Sequence, residues 1–290
     1  MPSQTIKSTN VPSMRNFLDK LPPLSPTLTM LIASLSREDV SFAKISELIE
    51  KDPVLAGNVL GLVNSSLLER RGRVSSVRHA VSLLGVDKIR NSALSMSITR
   101  MWDKMRTPPG WSTAKFNKHA LAVAMLADIL SQEFPLNYPE GAFIAGLLHD
   151  LGKLMIAMCM PREYGEIEEL ITETGRPPVE CELEILGVTH ADLSGEAMQA
   201  WNMPKAIEAA VRYHHSPDLD PTPGAPRSLA LSFAIATADE YVNQQGWDAG
   251  GYASSGEPAS LFPIEALGSA EVQRLLDQFH REFESLSAFV

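Results

Sequence analysis

From Gly141 to Met160 the chain is almost entirely apolar, and the run is interrupted at its centre by His149, Asp150 and Lys153. So greasy a stretch has to lie in a core, yet burying an imidazole beside a carboxylate is unfavourable unless something binds them. A divalent metal would do so. The same charges make the segment a buried helix and not a membrane span. Further donors lie on other segments: His119 upstream, and His190, His214, His215 and Asp239 downstream. Helical proteins assemble metal sites in this way, from inward-facing side chains on facing helices.

The rest of the composition narrows the class. With 290 residues, 44% of them hydrophobic and 21% charged, the chain is an ordinary soluble globular protein. A formal charge of -10 argues against nucleic acid or an anionic membrane as the main partner, since both need a concentrated basic face. A small phosphate ligand is compatible with it if cations are gathered locally. Two cysteines, Cys159 and Cys181, without CxxC spacing give neither a disulfide framework nor a thiolate zinc site. A reducing cytoplasm is the expectation. Met1 to Asn10 is polar and lacks an apolar h-region, so no secretory signal is expected there.

Everything along the chain points to helices, with no convincing strand, and the expected fold class is all-α. Asp52-Pro53 sets an N-cap carboxylate before a proline at the first helical position, followed by Val54, Leu55, Val59, Leu62 and Val63 at helical period. Ser76 caps the next helix, Gly85 ends it, and Asp87 starts another that carries Ile89, Ala93, Met96 and Ile98. Thr107-Pro-Pro-Gly110 breaks helix firmly. We therefore expect an N-terminal helical part over 14–106, a larger helical part over 107–245, and a C-terminal loop and helix over 246–290. Within the larger part, helices are expected over Asn117–Glu133, over Gly141–Met160 without a break, from Pro204 to His215, and over Ser228–Gln244 with Asp239 on the later half. Thr189-His-Ala-Asp192 has the form of a capping box, with His190 in the first turn. Proline-rich 216–227 and Gly/Ser/Pro-rich 246–264 read as loops, and a last helix runs from about Ala270 to Leu286.

Imidazole and carboxylate suit zinc, iron, nickel or manganese. His149 and Asp150 diverge by roughly 100 degrees on a regular helix, so they can share one ion only at a helix end or in a tight pocket. His119 and Asp239 would complete a single-metal set, while His190, His214 and His215 would hold a second ion or a phosphate oxygen. Lys153, four residues after His149, would act on a leaving phosphate or simply pair with an acid. Taken alone, His119 or His190 reads more naturally as a core or capping histidine, and Asp239 as solvated. Their joint order favours a metal pocket. His79 and His280 fall outside the pattern. Arg70, Arg71, Arg73 and Arg78 read as a solvated basic loop more than as a phosphate grip, and Met155, Met158, Cys159 and Met160 as core filling.

Several motifs recur in an order that resembles a known family: Leu21-Pro-Pro-Leu24, Asp52-Pro53 with Leu62-Val-Asn-Ser65, Ala80-Val-Ser-Leu-Leu-Gly85 with Ile89-Arg-Asn91, Ala142 to Lys153, Glu184 to His190, and Trp201-Asn-Met-Pro204. Over about 14–245 the chain is similar to the HDOD domain, the HD-related output domain of bacterial signalling proteins. The resemblance implies a smaller N-terminal helical part packed on an HD-like helical part, and a regulatory role without demonstrated catalysis. Its donors follow the order used by metal-dependent phosphohydrolases of the HD type. Against the related cyclic-dinucleotide phosphodiesterases, Lys115 stands where some place a ligand glutamate, and Ser-Pro-Asp-Leu-Asp follows His215 in place of a Gly-Tyr-Pro signature.

Two functions are therefore expected. The leading one is a cytoplasmic signalling module that binds a partner protein and retains a metal pocket made by His119, His149, Asp150, His190, His214, His215 and Asp239. Its rival is a metal-dependent phosphohydrolase in which a metal-activated water attacks phosphorus, with Asp150 and Lys153 in the catalytic roles.

Overall fold

A computed structural model describes residues 18–35, 41–66, 73–222, 228–249 and 268–287. Its described residues form helices α1 (Pro26–Ala33), α2 (Phe42–Glu50), α3 (Pro53–Ser66), α4 (Val77–Leu84) and α5 (Val86–Trp102) in the first part. After the 103–112 connection come α6 (Thr113–Glu133), α7 (Ala142–Leu148), α8 (Leu151–Cys159), α9 (Pro161–Thr174), α10 (Pro178–Leu186), α11 (His190–Ala200), α12 (Lys205–Arg212), α13 (Leu231–Gln244) and α14 (Ser269–Ser287). Among the described residues the sole β-type pairing is an isolated bridge between Leu136 and Leu229, so the fold is all-α.

Local signals explain most boundaries. Asp52 Oδ1 accepts from the amides of Val54 and Leu55, each 3.0 Å away, at the start of α3. Ser76 accepts from His79 N at the start of α4. Gly85, at φ 88°, ends α4 and begins α5, and Asp87 lies in the first turn of α5. Only glycine takes that backbone conformation without strain. The helix expected from Asn117 begins earlier, at Thr113, because Ser112 caps it through Lys115 N.

Helix α6 is the central pillar, buried along most of its length and packed by α7, α13 and α14. α11 packs on α8 and α12. The N-terminal helices meet this body through α5, which touches α6 and α7, and α14 reaches both α3 and α6. Pro139–Cys159 has the length and apolarity to cross a membrane, but it is mostly buried inside the fold.

Three expected helices differ. Gly141–Met160 is not continuous: it breaks at His149 and Asp150, with Asp150 at φ -96° and ψ 9°. The helix from Pro204 stops at Arg212, leaving His214 and His215 in the turn beyond. The helix expected from Ser228 starts at Leu231, because Leu229 joins the Leu136 bridge. Arg70, Arg71, much of the 246–264 loop and the end of the 216–227 loop lie outside the described residues.

Candidate metal centre

The break between α7 and α8 positions the histidine and aspartate. Adjacent residues on a regular helix point about 100 degrees apart; at a helix end both can face one point. Glycines on either side permit the approach of neighbouring backbones. A Cβ on Gly146 would lie 2.7 Å from Ala124 Cα on α6, and one on Gly152 would overlap the His190 carbonyl at the start of α11. The Gly152 amide donates to Ser194 Oγ at 2.7 Å across that second crossing. The capping box of Thr189 and Asp192 is formed and fixes His190 as the first residue of α11.

The donor atoms form two overlapping groups joined by Asp150 and by His214, whose ligand atom also converges with those of His149 and Asp239. In the first, His119 Nε2 is 3.3 Å from His149 Nε2, 3.4 Å from Asp150 Oδ2 and 3.1 Å from Asp239 Oδ1. His149 Nε2 is 3.4 Å from Asp150 Oδ2 and 3.6 Å from Asp239 Oδ1. Donors placed tetrahedrally at about 2.1 Å from one ion stand about 3.4 Å apart, so this spacing matches that of a coordination shell. In the second group, His190 Nε2 lies 2.9 Å from His215 Nε2 and 3.3 Å from Asp150 Oδ1, and His214 Nε2 lies 3.8 Å from that same oxygen. All these residues are buried except His215, which opens the second group to solvent.

The far side of each ring decides what the near side can do. His119 Nδ1 is 2.7 Å from the Trp247 carbonyl, His149 Nδ1 2.7 Å from the Gly146 carbonyl, and His214 Nδ1 2.6 Å from the Val211 carbonyl. A carbonyl only accepts, so each Nδ1 carries the hydrogen and each neutral ring turns a bare Nε2 lone pair inward. The lone pairs of His119 and His149 then face each other and two carboxylates, an arrangement that calls for cations or added protons. Asp150 Oδ1 and His214 Nε2 are buried with no hydrogen-bond partner. These orphaned atoms and the mixed nitrogen and oxygen donors fit a divalent metal of the zinc, iron, nickel or manganese kind.

Without a metal, protons take its place. Burial pushes the His119 imidazole down, but Asp150 and Asp239 more than offset this and hold it up to about 9. Burial acts likewise on His190, and Glu182 with Asp150 raises it to about 9. His214, buried among His215, His149 and His190, is pushed well below the usual imidazole range. Burial opposes ionisation of Asp150, yet His149 and Lys153 hold its carboxyl well below the usual carboxylate range. Lys153 pairs with the acid, its Nζ 2.7 Å from Asp150 Oδ2.

All the residues expected from sequence come together, and Asp239, which taken alone would read as solvated, is buried. Sequence reasoning missed Glu182. This fully buried carboxylate accepts from the backbone amide and from Nδ1 of His190, both at 2.8 Å. Its signal was its place four residues before Leu186 on the buried side of α10. His280 and His79 do stand apart: His280 Nε2 is 3.3 Å from Tyr241 Oη, and His79 is exposed.

Comparison with known proteins agrees with this architecture. The family model of the HDOD domain matches residues 21–217. An HDOD domain protein of unknown function from Geobacter sulfurreducens superposes with a TM-score of 0.76 at 23% identity, covering 95% of each chain. A candidate signal transduction protein from Marinobacter aquaeolei VT8 gives 0.72 at 26% identity, over 93% of this chain and 59% of that one. A candidate phosphohydrolase from Shewanella amazonensis SB2B gives 0.70 at 21% identity, over 97% and 98%. The first and third likenesses, below 25% identity, speak for the fold alone. The chain spans less than half the length of the curated relatives it matches.

Proposed function

The chain belongs to the HDOD domain family, and from that premise we propose that it is a cytoplasmic signal-transduction output module that binds a partner protein through its helical surface and holds a divalent metal at its HD-like centre. The observation that carries the metal is the inward set of Nε2 lone pairs, each locked by an acceptor on the far side of its ring. His119, His149, Asp150 and Asp239 would hold one ion, and His190, His214 and His215 would take a second ion or a phosphate oxygen. In this reading the metal ties α6, α7, α8 and α13 together and so sets the surface that a partner meets. Lys115 and the Ser216 to Asp220 segment, which depart from the phosphodiesterase pattern, favour a regulatory metal over cyclic-dinucleotide hydrolysis.

One observation favours the rival phosphohydrolase: Asp150 presents one oxygen to each donor group, and solvent reaches the second group at His215. A bound divalent cation would supply Lewis acidity there. Lys153, held against Asp150, would stay protonated and offer its charge to a phosphate oxygen. The separating experiment is turnover of cyclic-di-GMP and a nucleotide panel by protein supplied with manganese, iron or nickel. The module reading expects no useful turnover, with Asp150→Ala retaining partner-dependent signalling as long as it folds. Robust turnover that Asp150→Ala abolishes would replace the module by the enzyme.

A further inference from the structure

A second polar site lies away from the metal centre. A cavity of about 570 Å³ opens between the segment before α1, the start of α3 and the end of α5. It is in the range of small-molecule sites, roughly 300–1,000 Å³. Its wall carries Lys20, Arg100, Lys104 and Arg106 against a single carboxylate, Asp52. That carboxylate is already engaged, with Oδ1 capping α3 and Oδ2 3.3 Å from Arg100 Nη1. Arg100 Nη2 is buried with no hydrogen-bond partner, and Lys20, Lys104 and Arg106 have no ion-pair partner among the described residues. In a chain of formal charge -10, four cations around one carboxylate make this cavity locally positive. The same lining includes the apolar and adaptable side chains of Met101, Met105 and Met158.

From this we infer that the cavity is a binding site for a small phosphorylated ligand with an apolar or heteroaromatic portion, of the nucleotide class. The phosphates would meet Arg100, Lys104 and Arg106, whose donors suit charge-assisted bonds to phosphate oxygens. The ring would lie on the methionines. The site is distinct from the metal centre: Met158 is eight residues along the chain from Asp150, about 12 Å at helical rise. It is therefore independent of the metal reading.

The test is titration of the full chain with a fluorescent methylanthraniloyl-ADP probe, with and without chelator, and with pyrophosphate and an oligoglutamate peptide as competitors. We expect saturable binding that weakens with salt, persists in EDTA and in His149→Ala, and is displaced by pyrophosphate. The double reversal Lys104→Glu/Arg106→Glu alters two exposed side chains and should lower affinity at least about tenfold, about 1.4 kcal/mol, while the circular dichroism spectrum stays unchanged. Absence of saturable binding, or indifference to the double reversal, would overturn the proposal. So would binding lost on chelation, which would put the probe at the metal centre, or displacement by oligoglutamate at lower concentration than by pyrophosphate, which would indicate an acidic protein partner.

Discussion

Gly152→Ala probes the crossing of α8 and α11 that sets Asp150 beside His190. The new Cβ would overlap the backbone carbonyl of His190, and backbone cannot swing aside as a flexible side chain can. Alanine within a helix gains about 1 kcal/mol over glycine. Forcing a carbon into a packed crossing costs about 1–3 kcal/mol, here toward the upper end. Moving the helices apart also breaks the bond from the Gly152 amide to Ser194 Oγ, and a buried donor left unsatisfied costs about 1–3 kcal/mol more. The net loss is about 3 kcal/mol, which lowers Tm by about 6–12 °C in a protein of this size. Gly165→Ala is the control, because a Cβ there meets nothing within 4 Å; it should gain about 0.5–1 kcal/mol. Urea unfolding followed by circular dichroism, in EDTA so that metal adds nothing, measures both. If Gly152→Ala is as stable as the parent, or both variants shift the midpoint in the same direction, the close crossing is not as described.

Three further outcomes are expected. Glu182→Gln removes the carboxylate that receives both the amide and Nδ1 of His190, so metal affinity at the second donor group should fall about 10- to 100-fold by calorimetry; an unchanged isotherm would mean that Glu182 only packs. In chelated protein, His119 and His190 are held up to about 9, above their unfolded value, so their stabilisation is full below pH about 6.5 and is lost as pH rises through about 9. Urea midpoints across that window should decline, and addition of metal below pH 9 should release protons into weak buffer; midpoints that hold level or rise would contradict the raised values. Metal at about 100 times its Kd should stabilise the parent by about 2.7 kcal/mol, a Tm rise of about 5–11 °C, whereas His149→Ala should show almost none of it; equal rises in both proteins would reduce His149 to a packing residue.

The donors were legible because they are polar residues in apolar helical stretches, where burial without a partner is unfavourable. The break at His149 and Asp150 was not, because apolar periodicity continues through Leu147, Leu148, Leu151 and Leu154. The turn holding His214 and His215 read as helix because no glycine or proline interrupts Lys205 to Ser216. Glu182 stands between Glu180 and Glu184 on a helix whose acids look solvated, and its register with Leu186 is the one signal that sets it apart. The carbonyl of Trp247 orients His119 through backbone, which no side-chain pattern reveals. The basic cavity joins Lys20 to residues 80 and more positions away, a proximity that exists only in the folded chain.

Equilibrium dialysis against manganese, iron, nickel and zinc, followed by elemental analysis, tests the central claim most directly. The account predicts saturable binding of at least one ion per chain in the parent protein, and its loss or severe weakening when His149 and Asp239 are both replaced by alanine in protein that remains folded. Folded parent protein that takes up none of these metals, or a double variant that binds as the parent does, would contradict it.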